Sequence, residues 1–302
     1  MTLTGIPGPL LVPGSPEWLA TISASKVASI VGLNPWTSAF TLWHRMAGNV
    51  TEPQSDAMKR GHYLEPAILA WFRDQHPEFA TDRPPFTWTH REHEWATASP
   101  DGRVIVLDTQ EDRLLEVKSS AVSDDWGPAG SDEIPPGYRA QVMWQMFVTG
   151  ARTTHVAVLL PFLEFREFVV EYDEGEASAL FAAAVAFRQS LADGVQPPLD
   201  GADDTYRTVR ALHPEIDDVD AEIDVDAVTV WLTARRNLGV WTDEEQACRA
   251  QVVAEMGTAH YAYCNSWKLG DRRAKGEGTP YFQPARTLPT PEQVLTPREA
   301  AA

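Results

Sequence analysis

Two acids and a lysine mark the ends of a predicted strand pair. Asp101 lies in a turn just before the apolar run 104–107, and Glu116 and Lys118 follow a second apolar run. If the polar break between the runs is a hairpin connection, these residues meet at one end of the ribbon. Side chains alternate along a strand, so Glu116 and Lys118 project from one face and Val117 from the other.

This arrangement predicts a metal site. Two carboxylates held close together repel each other unless one is protonated or a cation lies between them. Oxygen ligands suit a hard divalent cation, so we expect Mg²⁺, with Mn²⁺ as a substitute, and two ions in the complete site. Divalent cations beside a lysine that favours hydroxide are a layout for hydrolysing phosphodiester bonds.

Polar side chains on neighbouring predicted helices are candidates to complete the site. Glu65 lies near the apolar stripe of helix 56–75, directly before Pro66. Gln141 and Gln145 are four residues apart and share one face of a helix that ends at Gly150. If that helix lies beside the acids, the two amides can hold a water molecule or a nucleotide edge.

A second helix offers an anion site. Ser25 and Lys26 lie in the first turn of the helix that precedes Gly32. Backbone N–H groups at a helix N-terminus attract anions, so a terminal phosphate can dock there.

The element order predicts the fold class. Three helices precede the strands that carry the acids, and a helix, two strands and an Ala-rich helix follow. This order favours an α+β domain with a central mixed sheet flanked by helices.

Composition narrows the class of protein. Of 302 residues, 43% are hydrophobic, which supports a sizeable core. No apolar run is long enough to span a bilayer and no signal peptide is evident, so a soluble, cytoplasmic protein is expected, with no membrane partner. Two cysteines exclude a disulfide framework and a four-cysteine cluster.

The net charge of −18 argues against a general nucleic-acid binder, so any DNA path must be a confined groove.

Five segments, in order, resemble the YqaJ-like viral recombinase family, which includes lambda exonuclease and belongs to the PD-(D/E)XK nuclease superfamily. They cover about residues 20–150 and read SASKVASIVGLNPWTSAFTLWHRMAG, GHYLEP, SPDG, LLEVKSS and PGYRAQVMWQMFVTG. The resemblance implies a restriction-endonuclease-like fold. It also implies a Mg²⁺-dependent exonuclease that digests linear double-stranded DNA from the 5′ end and leaves a 3′ overhang for a single-strand annealing protein.

The resemblance also implies roles for individual residues. Asp101, Glu116 and the Val117 carbonyl are the expected metal ligands, and Lys118 orients the nucleophilic water. The helical acid Glu65 completes or supports the metal site.

Further roles concern the edge of the site and the DNA end. Gln141 lies at the edge of the site, and Ser25, with Lys26 and Gln145 nearby, grips the 5′-phosphate. Trp18 stands where lambda exonuclease has an arginine before this serine. Related exonucleases form rings, so a homo-oligomeric ring with a local basic channel is expected. Its candidate lining residues are Lys26, Arg45, Lys59, Arg60 and Arg73.

The predicted domain organisation has five parts. They are an irregular N-terminal arm (1–19), a nuclease domain (20–194), an acidic connection (195–226), C-terminal helices with a strand pair (227–282) and a disordered tail (283–302).

Two other functions fit parts of the sequence. An acidic interaction protein, either a DNA mimic or an inactive nuclease fold, agrees with the negative charge but gives no reason for a lysine two residues beyond a strand acid. A related endonuclease would share the same chemistry and differ in not requiring a DNA end.

Overall fold

A computed structural model describes residues 3–51, 56–216, 218, 220–276 and 278–295. The chain divides into two compact units, residues 1–216 and 217–302. Within the described residues, no helix is both long and apolar enough to cross a membrane.

Seven helices of the first unit are described. They are α1 (Pro16–Leu19), α2 (Ala24–Ile30), α3 (Ala39–Met46), α4 (Asp56–Gln75), α5 (Pro136–Thr149), α6 (Glu174–Asp193) and α7 (Asp203–Leu212). The stop signals in the sequence are confirmed: Gly150 and Gly194 cap α5 and α6 in the left-handed conformation, with φ of 78° and 69°. Such a conformation favours glycine because it has no Cβ.

The strands of the first unit form two sheets. They are β1 (Ile6–Gly8), β2 (Ile22–Ser23), β3 (Phe79–Asp82), β4 (Thr87–Thr89), β5 (Ala96–Ala98), β6 (Gly102–Val106), β7 (Glu111–Ser119), β8 (Thr153–Leu159) and β9 (Phe165–Glu171). The larger sheet has the order β3-β6-β7-β8-β9, and the smaller one β1-β4-β5-β2. In the larger sheet β7 and β8 are parallel and all other neighbours are antiparallel. The predicted mixed sheet flanked by helices is thus confirmed.

The larger sheet is covered on both faces. Leu114 faces a core built with α2, α5 and α6, while Leu115 and Val117 face a second core built on α4. Ile68 and Phe72 supply the α4 side and are almost fully buried. Because neighbouring side chains of β7 enter opposite cores, a slip of one residue would expose both sets, so the register of β7 is fixed.

The sequence predicts an irregular N-terminal arm, but this arm is folded in the structure. β1 pairs with β4 at the edge of the smaller sheet, where Pro7 is tolerated. Thr4 and Gly5 donate backbone hydrogen bonds to the Thr149 carbonyl at 2.7 and 3.0 Å. These bonds tie the arm to the end of α5.

The acidic connection also contains a folded element. Helix α7 lies inside the predicted extended segment 195–226, and its Thr208 shares a buried hydrogen bond of 2.8 Å with Thr41 of α3. The first unit therefore continues past residue 194 to residue 216.

The second unit consists of a long helix and a small sheet. Helix α8 (Val225–Met256) is followed by β10 (Tyr261–Cys264), β11 (Trp267–Arg273), β12 (Tyr281–Pro284) and α9 (Pro291–Leu295). The strands form an antiparallel sheet in the order β10-β11-β12. The sequence predicts more than one helix in this region, but the structure has the single long helix α8. The tail from residue 283 is predicted to be disordered, but it contributes to β12 and forms α9, as far as Leu295. Residues 296–302 of that tail lie outside the described part of the chain.

Candidate active site

The predicted hairpin brings the first acid to the end of β7. β6 and β7 are antiparallel, with Gly102 opposite Leu115. A Cβ on Gly102 would lie 3.2 Å from the Leu115 Cβ, so a glycine lets the two strands approach closely here. Asp101 directly precedes this glycine, and its Oδ2 accepts the Val117 N–H at 2.8 Å.

Glu116 is the most constrained acid of the site. Its side chain is buried, at 2% exposure, where an unpaired carboxylate would be unfavourable. Gln141 donates to Oε1 at 2.5 Å and Gln145 donates to Oε2 at 2.7 Å, both from α5. Lys118 forms an ion pair with Oε1 from the same strand. Three donors therefore fix the orientation of this carboxylate.

Lys118 stays charged in this environment. Burial lowers its pKa, but the charges of Glu116 and Asp101 outweigh burial and raise the pKa above its ordinary value. Its Nζ also lies 5.1 Å from the centre of the Tyr138 ring, a cation–π distance. The ammonium group is therefore fixed beside both acids.

The surroundings of Asp101 disfavour a negative charge on its carboxylate. Burial, with the negative charges of Glu116 and Glu65, raises the pKa of Asp101 well above its usual range. Lys118 and the Val117 N–H act in the opposite direction without cancelling the effect. A cation between the carboxylates would relieve this repulsion.

The backbone of Val117 presents an oxygen on the same side. A residue's N–H and C=O point toward the same edge of a strand. Because the Val117 N–H points at Asp101, its carbonyl is also directed to that side, where β6 does not yet pair with β7 because it begins at Gly102, opposite Leu115. The carbonyl is thus placed among the oxygen atoms that could bind a cation.

Glu65 is the helical acid predicted to complete or support the site. Its negative charge is felt at Asp101, so α4 does bring it near the site. Its carboxylate forms an ion pair with Arg83, a residue that sequence reasoning missed. Arg83 lies in the connection between β3 and β4, and no local pattern marks it as a partner of a helix residue.

The donor set suits Mg²⁺. Among the residues that the structure describes, no three His, Cys, Asp or Glu side chains are grouped to hold a metal ion. Glu65 is paired with Arg83, and its role as the acid that completes or supports the metal site stays a prediction. Mg²⁺ commonly binds through one or two carboxylates and keeps waters or substrate phosphates in its other positions. Asp101, Glu116 and the Val117 carbonyl fit that requirement.

The prediction that Lys26 contacts DNA is wrong. Its side chain is 2% exposed, and Nζ donates to the carbonyls of Trp18 and Thr21 at 2.5 and 2.7 Å. The same ammonium lies 3.6 Å from the centre of the Trp18 ring. Burial lowers the pKa of Lys26 to about 7. This lysine joins α1 to α2 instead of facing a ligand.

Gln145 is likewise a positioning residue and not a DNA contact. It is 1% exposed, so no nucleotide reaches it, and its amide is committed to Glu116. Ser25 is exposed at the start of α2, where its hydroxyl lies 3.0 Å from that of Ser23. A phosphate contact at Ser25 remains a prediction.

Of the other basic residues predicted for a DNA channel, three already have partners. Arg45 lies 3.8 Å from Asp204, Lys59 lies 3.4 Å from Asp56, and Arg73 donates to the Thr81 hydroxyl at 2.6 Å.

Comparison with known proteins gives a family match for part of the chain. Residues 17–152 match the model of the YqaJ-like viral recombinase domain. That segment contains α2 to α5 together with Glu65, Asp101, Glu116 and Lys118. The predicted family resemblance is confirmed.

The individual relatives have low sequence identity to this chain. The chain is 26% identical over 268 residues to the uncharacterized protein YqaJ of Bacillus subtilis (strain 168), covering 83% of this chain and 81% of the relative. Among solved structures it resembles the alkaline exonuclease LHK-Exo from Laribacter hongkongensis, with 20% identity, a TM-score of 0.44, and coverage of 60% of this chain and 94% of that one. A phage-related exonuclease from Haemophilus somnus 129PT is 13% identical, with a TM-score of 0.41 and coverage of 58% and 96%.

Proposed function

We propose that this protein is a Mg²⁺-dependent exonuclease that digests one strand of linear double-stranded DNA from its 5′ end. The observation that carries the proposal is the convergence of Asp101, Glu116, the Val117 carbonyl and Lys118 at one end of the β6–β7 hairpin. The match of residues 17–152 to the model of the YqaJ-like viral recombinase domain supports it. Mn²⁺ is expected to replace Mg²⁺, and a second ion is expected when DNA is bound.

Each residue has a defined task in this proposal. Asp101, Glu116 and the Val117 carbonyl would hold the cation, which would polarise the phosphodiester and lower the pKa of a bound water. Gln141 and Gln145 keep the Glu116 carboxylate oriented. The Lys118 ammonium, already charged and fixed by Glu116, orients the attacking water and stabilises negative charge as it develops. Glu65 supports the site from α4, and its partner Arg83 offsets part of the negative charge that Glu65 exerts at Asp101.

Partners follow from the same proposal. The substrate is a duplex DNA end, with Ser25 near the terminal phosphate, and the 3′ overhang would be passed to a single-strand annealing protein in the cytoplasm of a bacterial host. A homo-oligomeric ring would confine the DNA in a local channel and so reconcile DNA binding with a net charge of −18.

The test uses linear duplex labelled at either the 5′ or the 3′ end, together with relaxed, covalently closed plasmid. We expect Mg²⁺-dependent release of the 5′ label, no reaction in EDTA, and survival of the plasmid. Asp101→Ala and Lys118→Ala should each lower the rate by at least about 100-fold. Lys275→Ala, an exposed lysine of the second unit, is the matched control.

Alternative outcomes separate the competing functions. Cutting of the closed plasmid would identify an endonuclease, and early release of the 3′ label would reverse the polarity. DNA binding without cleavage in Mg²⁺ or Mn²⁺ would identify an inactive nuclease fold. Full activity of either variant, with an unchanged circular dichroism spectrum, would overturn the assignment of the site.

A further inference from the structure

Much of helix α8 lacks the packing that helices normally need. Residues 231–250 of its Val225–Met256 span are all exposed, whereas Val252 and Val253 near its end are partly covered. Helical stability in proteins comes mostly from packing an apolar face against other elements. We therefore expect the exposed part of α8 to pack against another surface.

That part of α8 carries an apolar stripe with a heptad pattern. Trp231, Ala234, Leu238, Trp241 and Cys248 follow alternating steps of three and four residues, interrupted once at Glu245. The two tryptophans and the leucine are 57%, 67% and 69% exposed. A repeat of this kind is the seam along which two helices pack in a coiled coil.

The distribution of charged residues along α8 indicates which helix can pair with it and in which orientation. Arg235 and Arg236 lie in the first half of α8, and Asp243, Glu244 and Glu245 lie in the second half. A parallel pair of α8 helices would place like charges side by side. An antiparallel pair places the arginines of each helix beside the acids of the other, which favours association and fixes orientation.

We propose that α8 is a self-association surface on which a second copy of this chain docks in antiparallel orientation, centred between Gly239 and Val240. In this arrangement Leu238 of each copy lies against Trp241 of the other, and Trp231 lies against Cys248. The small Ala234 faces Glu245, which already pairs with Arg249 of its own helix at 2.7 Å. The proposal does not depend on nuclease activity.

The first experiment measures the mass of the full chain by sedimentation equilibrium. Leu238→Glu places a charge in the centre of the stripe and should halve the mass at equal protein concentration. Leu232→Glu introduces the same charge on the far side of α8, where Leu232 is 51% exposed, and should leave the mass unchanged. Equal masses for wild type and Leu238→Glu, or an equal loss in both variants, would overturn the proposal.

The second experiment tests orientation by disulfide trapping with a copper–phenanthroline oxidant, which takes up the two electrons released by each thiol pair. In a Cys264→Ala background, Trp231→Cys places a new thiol opposite Cys248 of the second copy, so covalent dimers should form. The background protein, with Cys248 as its one thiol, should stay monomeric on a denaturing gel. Crosslinking of the background protein indicates a parallel pair, and no crosslinking of either protein excludes the seam, so both results overturn the antiparallel assignment.

Discussion

Gln145 donates its side-chain N–H to Oε2 of Glu116 at 2.7 Å, although the two residues are 1% and 2% exposed. A buried carboxylate oxygen needs a hydrogen-bond donor, and this amide supplies one. It also connects α5 to β7 inside the protein. The orientation of one proposed metal ligand therefore depends on a residue that cannot touch the substrate.

We expect Gln145→Leu to weaken both folding and function. The change keeps the volume similar but leaves a buried carboxylate oxygen without its donor, which costs about 1–3 kcal/mol. Urea unfolding should show this loss, and titration with Ca²⁺, a non-activating oxygen-seeking cation, should show weaker binding. Gln189→Leu on the exposed face of α6 is the control. Unchanged stability and cation affinity would remove the proposed positioning role.

The buried ammonium of Lys26 predicts an unusual dependence of stability on pH. Its pKa in the folded protein is about 7, below its value of about 10.4 in the unfolded chain. Between these values the unfolded state binds more protons, so folding stability rises with pH. The free energy of unfolding of wild type relative to Lys26→Met should rise across this window, by at most about 1.4 kcal/mol per pH unit.

Denaturant unfolding from about pH 7 to pH 9.5 measures this difference. Lys275→Met, at an exposed position, should give a difference that does not vary with pH. A flat difference for Lys26→Met as well would mean that the ammonium is hydrated in solution. DNA binding should survive Lys26→Met because the side chain does not reach the surface.

A histidine at the end of α4 predicts the opposite pH dependence. His76 lies between two carboxylates, with Nε2 at 2.5 Å from Glu167 and Nδ1 at 2.8 Å from Glu78. Partial burial lowers the pKa of His76, but these bonds and charges raise it to a net value above 6.5. The stabilisation is therefore fully present below about pH 6.5 and is lost as the pH rises through the folded-state pKa.

His76→Gln should accordingly destabilise the protein by about 1–3 kcal/mol near pH 5.5 and by much less near pH 9. Glu167 also accepts a bond from His155 at 2.7 Å, and its pKa is lowered despite burial, so the effect should fade again at strongly acidic pH. His62→Gln, on the exposed side of the same helix, is the control. An equal loss of stability at both pH values would show that packing, and not charge, holds His76 against its two carboxylates.

Two glycines should respond to alanine in opposite ways. A Cβ on Gly137 would lie 2.8 Å from the Leu33 carbonyl oxygen, so the start of α5 would have to move. Gly137→Ala should destabilise the protein by about 1–3 kcal/mol. Gly61 in α4 has no atom within 4 Å of an added Cβ, and Gly61→Ala should stabilise by about 0.5–1 kcal/mol. Thermal unfolding of both variants tests the pair, and a stabilising Gly137→Ala would contradict the close contact.

Local patterns were sufficient to predict the hairpin. The alternation around Glu116 and the break before it define β6 and β7 because strand period and turn composition are properties of neighbouring residues. The same reasoning placed Gln141 and Gln145 on one face of α5, but not on a particular partner. Which residue a helix face meets is set by the tertiary packing. The burial of Lys26 could not be predicted for the same reason.

Helix α8 shows how a local signal can be overridden. Asn237 and Gly239 resemble a helix end, and Thr242 with Glu245 resembles the start of another helix. In the structure the Thr242 hydroxyl donates to the Leu238 carbonyl at 2.7 Å within one continuous helix. A glycine inside a helix costs about 1 kcal/mol, which a long helix tolerates.

The Val117 amide has a use of its own. Its proton is directed at the Asp101 carboxylate and not at a neighbouring strand, so its magnetic resonance frequency and its exchange with deuterium depend on one side chain. Most strand amides report the integrity of a sheet. This one reports whether Asp101, the acid that directly precedes β6, is in place, and it can be followed without DNA, without turnover and without any substitution.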